Sequence, residues 1–500
     1  MRRALADAET ALNRVVGGAT GDECESYTLD FKEDKGSSSD TEKLVTAAAI
    51  CFANSAGGAI VLGVSDKLRG AEAITGTTIS ADRIKQRIYE LSRPHLVVDV
   101  HIPHGNPGVR IILVPQSAEI HADTQGRATQ RINKDCVPLE PMQLSRLREE
   151  RRGFDWSAEG SERTLADISP EVVSLIKFTL SKFNDSRRLL VSLSTPDLMS
   201  AIGGLHSRNE LNRAAALMFC ADSNSSYSEV VYQYRPTQGG EPTAVQRLSA
   251  PLFLSYQRTM ELVSARQSLT PVTLPNGQQI SIEDFPSLAV REAISNSICH
   301  RDYHISNSVV IEHSPASFVV TSPGPLVSGV TPDNIITIPS RPRNSALTNI
   351  ARMLGLAEEL GRGVDRMYRE MIRSGRKIPK IESSFDSVKV ILVGGAPDTN
   401  IAKFVAALPE EEQGDTDTML VIFNLCTNRT ISGITISAIL QKSIEETEAV
   451  LRRLASDDVG LLENTRATVG RTSVRTHNGG ADGVGVIHGF HGRGRWISSG

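Results

Sequence analysis

The stretch TEKLVTAAAICFANSAGGAIVLGVSDK, residues 41–67, decides how the first part of the chain folds. Leu44, Ala47, Ala48, Cys51 and Phe52 recur at the three-and-four spacing of one helix face. Gly57 and Gly58 end that helix, and AIVLGVS behind them reads as a short buried strand. Further out, GVRIILVPQS (108–117) is a second strand, preceded by Asn106-Pro107-Gly108. Helices and strands alternate, which makes this block α/β or α+β. GFDWSAEGSERT, from Gly153, reads as a linker.

A second block spans 165–395. DISPEVVSLIKFTLSKFND is helical, with Ser169 as N-cap and Pro170 at the first helical position. ALMFCAD and SEVVYQYRP read as strands, LAVREAISNSICHRDY as a helix, and SVVIEHSPASFVVTSPG as two strands around a turn. GVDRMYREMIRSG is a helix ending at Gly375, and VKVILVGG closes the block as a strand. Polar 409–418 predicts a second exposed connector. Over 415–465 three helices follow, the last opened by a Ser443/Glu446 capping box and ended at Gly460, which predicts a helix-turn-helix or winged helix. The tail 466–500 is Gly- and Arg-rich and predicts partial disorder.

Composition narrows the class. At 500 residues the chain is too long for one core, and roughly 150 residues per domain predicts about three. With 40% hydrophobic and 22% charged residues it is ordinary globular material. Its 54 basic and 58 acidic residues leave a net charge of −4, which excludes a chain basic throughout but not a local nucleic-acid patch. Aromatic residues at 5% argue against a broad base-stacking platform. Cys24, Cys51, Cys136, Cys220, Cys299 and Cys426 stand far apart without a C-x-x-C pair, against a zinc ribbon or a dense disulfide framework. There is no apolar segment behind the N-terminal Arg pair, and the longest apolar run falls short of the about 20 residues of a membrane helix. The expectation is a soluble, cytoplasmic protein in a reducing compartment, with no membrane partner.

Two constellations carry chemistry. ESYTLDFK places Glu25, Asp30 and Lys32 within one short segment, and Asp66 follows the strand of the opening stretch. Carboxylates converging at strand ends can hold a hard divalent cation, and a neighbouring lysine can meet the charge on a phosphate under attack. The same pattern also fits a solvated strand edge with incidental charges. In REAISNSICHRDY, Glu292, Asn296 and His300 stand four apart on one helix face, with Val290, Ile294 and Ile298 roughly opposite as core. There a glutamate can polarise water, an asparagine can hold Mg²⁺ against a triphosphate, and His300 can touch phosphate or cap the helix. A polar surface helix is the plain alternative.

E-x4-D-F-K, FANSAGGAIVLGVSDK and RINKD resemble the Alba-like domain shared by Schlafen proteins and many bacterial regulators, with Asp30 where the family commonly has glutamate. Some Schlafen members are endonucleases using three acids, which the resemblance carries onto Glu25, Asp30 and Asp66; most bacterial members are DNA-binding. E-x3-N, SPGPL and RPRNSALTNIARMLGLAEELGRGVDRM resemble the ATPase module of the GHKL superfamily, in the variant fused to Alba-like domains in bacterial transcriptional regulators. That resemblance implies Glu292 as base, Asn296 as Mg²⁺ ligand, and Gly361 and Gly363 as the phosphate loop. Where the superfamily has Asp-x-Gly-x-Gly, this chain has Thr321-Ser322-Pro323-Gly324.

The expected architecture is α+β and multidomain: an Alba-like Schlafen domain over 21–152, a GHKL-type α/β sandwich over 165–395, a winged helix over 415–465 and the tail. The leading expectation is a DNA-binding transcriptional regulator, a homo-oligomer whose bound ATP biases its nucleic-acid contacts, with DNA preferred to RNA. The second is a metal-dependent nuclease using Glu25, Asp30, Lys32 and Asp66 with Mg²⁺ or Mn²⁺, acting in defence or RNA processing. An assembly scaffold with a degenerate ATP site is the third. The winged helix's last helix opens with Glu445, Glu446 and Glu448, which repel phosphate, so the module either mediates protein contacts or reads DNA through its wing and the tail, where Arg466, Arg471, Arg475, Arg493 and Arg495 can supply nonspecific phosphate contacts; a flexible solvated end is the plain alternative for the tail.

Overall fold

The computed structural model describes residues 1–500 except 133, 222–228, 250, 275, 358–360, 429–430, 457, 466–472, 477–485, 489–496 and 500, and from 463 onward it describes backbone alone. Most of the Gly/Arg-rich tail, including Arg466, Arg471, Arg493 and Arg495, therefore lies outside the described residues. The fold is mixed α+β, and the chain divides into two compact units, Met1–Phe154 with Val327–Gly329, and Asp155–Leu326 with Val330–Gly500.

The first unit is built on a four-stranded sheet in the order Leu29–Lys32, Gly58–Leu62, Arg110–Val114, Asp99–His101. The first two strands are parallel, with Asp30 opposite Ile60; the other pairings are antiparallel. A parallel neighbour cannot be reached by a hairpin, so the chain must cross over, and the helix Ser38–Ala53 is that crossover. Alternation along the strands splits the core. Phe31, Ala59, Val61, Ile111 and Leu113 pack with Leu12 and Val15 of the helix Arg2–Val16, for which the sequence reading assigned no element. Ile60, Leu62, Ile112 and Val114 pack on the other face with Ser38–Ala53 and Ala81–Leu91.

Asn54, just past the crossover helix, ties this unit together. Its Nδ2 donates to the carbonyls of His121 (2.8 Å) and Thr129 (2.9 Å), and its Oδ1 accepts from His121 N at 2.8 Å. Ser55 accepts from Arg131 N at 2.7 Å. The hairpin Thr129–Ile132/Asp135–Pro138 is thereby hung on the helix end. Cys51 and Cys136, 85 residues apart in sequence, are joined by a disulfide, which their spacing gave no reason to expect.

The second unit carries a six-stranded sheet in the order Ala244–Leu248, Val230–Tyr234, Val309–Ser314, Ser317–Pro323, Ser387–Val393, Lys380–Ser383. The pair Val230–Tyr234 and Val309–Ser314 is parallel, and its neighbours are antiparallel. The helices Leu252–Ser264, Ser287–Cys299 and Gly363–Arg373 contribute Tyr256, Ile294 and Met371 to the core with Ile311 and Phe318. A further core runs from Tyr368 and Ile372 to Leu454 and Leu462. It gathers the helices Thr416–Thr427, Gly433–Leu440 and Ile444–Leu454 beside a three-stranded sheet of Ile431–Ser432, Ser473–Thr476 and Leu462–Thr465.

Three sequence expectations are corrected. Ala216–Phe219 of ALMFCAD lie in a helix, Arg213–Phe219, because the Asn212 side chain accepts from Ala215 N and caps it, and Cys220 past its end is extended; an apolar run this short does not itself distinguish strand from helix. The stretch from Gly153 is built in: Asp155 and the buried Ser157 accept from the first amides of the helix Ser345–Met353, and Gly160–Thr164 pairs with Glu210–Asn212. The polar stretch 409–418 is likewise structured, with Glu412 buried and paired to Arg453 at 2.7 Å.

Asn54→Ala leaves two buried carbonyls and one amide without partners. It should destabilise the first unit by about 3 kcal/mol, read as a lower urea midpoint for that unit's transition. An unchanged midpoint would show that Asn54 is not the tie.

Candidate functional site

The acidic residues of the first unit come together only in part. Glu25 lies on the segment leading into Leu29–Lys32 and accepts from Phe31 N at 3.1 Å. Burial, and then a hydrogen bond shared with Asp30, push its carboxyl up to about 7. Asp30 is 3% exposed, and Lys32 Nζ lies 2.9 Å from it. The buried guanidinium of Arg131 is 3.7 Å from the same carboxylate, and it also donates to the carbonyls of Ser26 (3.0 Å) and Leu29 (3.2 Å). Lys32 thus serves Asp30 as counter-charge. Arg131, the first residue of RINKD, is the member of this cluster that spacing could not pick out.

Asp66 does not complete a metal centre. It sits in the turn beyond Gly58–Leu62, where its carbonyl accepts from Asp22 N at 2.9 Å. Among the described residues no group of three or more His, Cys, Asp or Glu side chains is arranged to hold a metal. Of the expected trio, Glu25 and Asp30 come together through a side-chain hydrogen bond, with Lys32 and Arg131 beside Asp30.

In the second unit the helix Ser287–Cys299 is buried nearly all round, so its polar residues are enclosed and the expected surface face is absent. Glu292 is 1% exposed, with Arg291 at 3.5 Å and Arg366 at 3.7 Å. It lies against the start of the helix Gly363–Arg373: a Cβ on Gly363 would stand 2.3 Å from Glu292 Oε2 and 3.8 Å from Asn296 Nδ2. A side chain at 363 would have to displace the Glu292 carboxylate. Gly361 has φ +70°, a left-handed conformation glycine adopts at no steric cost. Arg362, at the cap position, makes no side-chain cap to the amides of the first turn. The preceding 358–360 lie outside the described residues.

The remaining candidates gather at the other end of the same helix. His300 ends it; burial first, then Arg343 and Arg352, lower its imidazole to about 4, so it is neutral near pH 7. Gly324, φ +95°, lies against Asp302, whose buried carboxylate faces Arg343 at 3.2 Å. The carboxylate beside Gly324 thus comes from Asp302, 22 positions earlier in the chain, a proximity that a motif read along the sequence does not reveal.

Glu25 gives a signed pH prediction. Its folded value lies above the ordinary carboxyl value, so the proton it holds stabilises the first unit in acid, and that contribution is lost as pH rises through about 7. Glu25→Gln should flatten the unit's urea midpoint between about pH 5 and pH 8; a wild-type slope retained in the variant would exclude Glu25 as its source. Gly363→Ala should drive a methyl into Glu292 and cost about 2 kcal/mol, read by thermal denaturation of the second unit.

Comparison with known proteins agrees with this division. Residues 25–140 match the family model described as "Schlafen, AlbA_2", and residues 307–392 match that described as "Putative ATP-dependent DNA helicase recG C-terminal". The crystal structure of the DIP2311 protein from Corynebacterium diphtheriae aligns over 95% of this chain and 97% of its own, with a TM-score of 0.57 and 23% identity, and so shares the fold. No curated protein matches the sequence.

Proposed function

We propose, for a chain that fuses a Schlafen-type AlbA_2 region to an ATPase-type module, a DNA-binding transcriptional regulator whose ATP state biases its contacts with DNA. The two matches indicate nucleic-acid binding and an ATP-related function. DNA in preference to RNA, a GHKL-type nucleotide site, regulation of transcription, a homo-oligomeric state and a cytoplasmic location are this reading's finer content. Among the described residues no helix is long and apolar enough to cross a membrane.

The observation that carries the nucleotide half is the meeting of Glu292 and Asn296 with the glycine start of Gly363–Arg373. The start of a helix presents backbone N–H groups and positive dipole to an anion, and glycine lets a phosphate approach closely. Asn296, half-buried, offers a neutral oxygen suited to Mg²⁺ on a phosphate chain. Bound Mg²⁺ would supply charge neutralisation on the triphosphate. Glu292, enclosed with two arginines, holds the helix start in place; its role as base is the further part of the proposal.

The nucleic-acid half favours binding over cleavage, because two acids already matched by Lys32 and Arg131 do not make the three-acid centre a nuclease would need. The order helix, short strand, helix, helix and two strands over 416–476 supports a winged helix as a second contact. Arg453 in its last helix is engaged by Glu412 and Asp415, which leaves Arg452 as the other arginine of that helix.

Calorimetry with ATP and Mg²⁺ tests the reading. Wild type should bind, Asn296→Ala should bind at least about tenfold more weakly, and Glu292→Gln, which keeps the packing, should bind normally while losing any turnover. Equal affinity in Asn296→Ala and wild type would remove Asn296 from the site. Gel shifts of labelled DNA and RNA with and without ATP separate binding from cleavage.

A further inference from the structure

We propose that Cys51 and Cys136 form a reversible thiol–disulfide site that clamps the outer strand of the Thr129–Ile132/Asp135–Pro138 hairpin to the helix Ser38–Ala53. The two cysteines are bonded with Cα atoms 5.9 Å apart. Cys51 is 0% exposed within the helix, whereas Cys136 is exposed, so a small thiol reaches the bond from the Cys136 side. Arg131 Nη1 lies 3.9 Å from Cys136 Sγ, and a neighbouring guanidinium favours a thiolate there. Cys51, wholly shut off from water, favours the neutral thiol. Cys136 is therefore the attacking cysteine and Cys51 the resolving one.

The exchange balances with low-molecular-weight partners. In oxidation the Cys136 thiolate attacks a small disulfide and expels one thiolate; Cys51 then gives up its proton, attacks the Cys136 sulfur and expels the second. One small disulfide becomes two thiols and the protein gains one S–S bond, a two-electron step. Reduction is the reverse.

The consequence is local because the two strands of the hairpin are held differently. The inner strand has Asn54 on Thr129, Ser55 on Arg131 N, and the Arg131 guanidinium 4.5 Å over the Phe52 ring, none of which involves the sulfur atoms. Among the described residues the outer strand pairs in the sheet with the inner one alone, Cys136 opposite Arg131, and the disulfide ties it to the helix. Opening the bond also places a thiolate beside the guanidinium that faces Asp30.

The full-length chain is equilibrated with oxidised or reduced glutathione, and each state is examined by non-reducing peptide mapping and amide hydrogen exchange. The expected result is a Cys51–Cys136 cross-linked peptide that appears and disappears with the glutathione state. Exchange at 134–137 should be faster in the reduced state by on the order of tenfold, with Arg110–Val114 unchanged. Cys136→Ser, a change at an exposed position, should exchange like the reduced wild type in both buffers, and Cys51→Ala should do the same. The proposal is overturned if no such peptide forms under oxidised glutathione, if Cys136 instead links to the exposed Cys426, or if exchange at 134–137 is equal in the two states.

Discussion

A carboxylate taken out of water must find its counter-charge inside the protein, and in each unit that requirement determines which segments meet. Removing one member of a buried pair costs about 3–5 kcal/mol because the other is left unmatched. Asp30, buried on the edge strand Leu29–Lys32, draws Lys32 from its own strand and Arg131 from a hairpin a hundred residues on. Glu292, inside a buried helix, draws Arg366 from the helix Gly363–Arg373, and Gly363 is the residue that lets that helix come close enough. Neither pairing is a strong argument for stability, since apolar residues of similar volume can do as well. Their effect is on arrangement: the charged contact admits one register of hairpin on strand and of helix on helix.

The elements that could be read from sequence are those with a local cause. Residues 41–67 announce a helix, a glycine stop and a strand through periodicity and punctuation, and the structure has Ser38–Ala53 and Gly58–Leu62 there. The capping box at Ser443 and Glu446 likewise forms as written, because its bonds span three residues. ALMFCAD failed for want of such a cause: four apolar residues suit either state, and the deciding cap, Asn212, lies before the run. The Trp156 segment was read as a linker because it is polar, yet its Asp155 and Ser157 are polar in order to cap a helix about 190 residues further along the chain.

The candidate sites divide in the same way. Glu292 and Asn296 could be paired because a helix brings residues four apart onto one face, and Gly361 and Gly363 were linked to them only through a family resemblance. Arg131 beside Asp30, Asp302 beside Gly324, and Cys51 beside Cys136 are contacts between distant segments, and no spacing rule encodes them.

One consequence follows from the proton held between Glu25 and Asp30. A carboxyl poised near neutrality responds to any charge brought to its face. A polyanion settling there makes the protonated form still more favourable, so its arrival draws a hydrogen ion from the solvent. The heat of such an encounter would include the ionisation heat of whatever buffer gave up that ion, and the strength of the encounter would rise as the surroundings turn acidic. A cluster that holds no metal would thus still register charge, in the currency of protons.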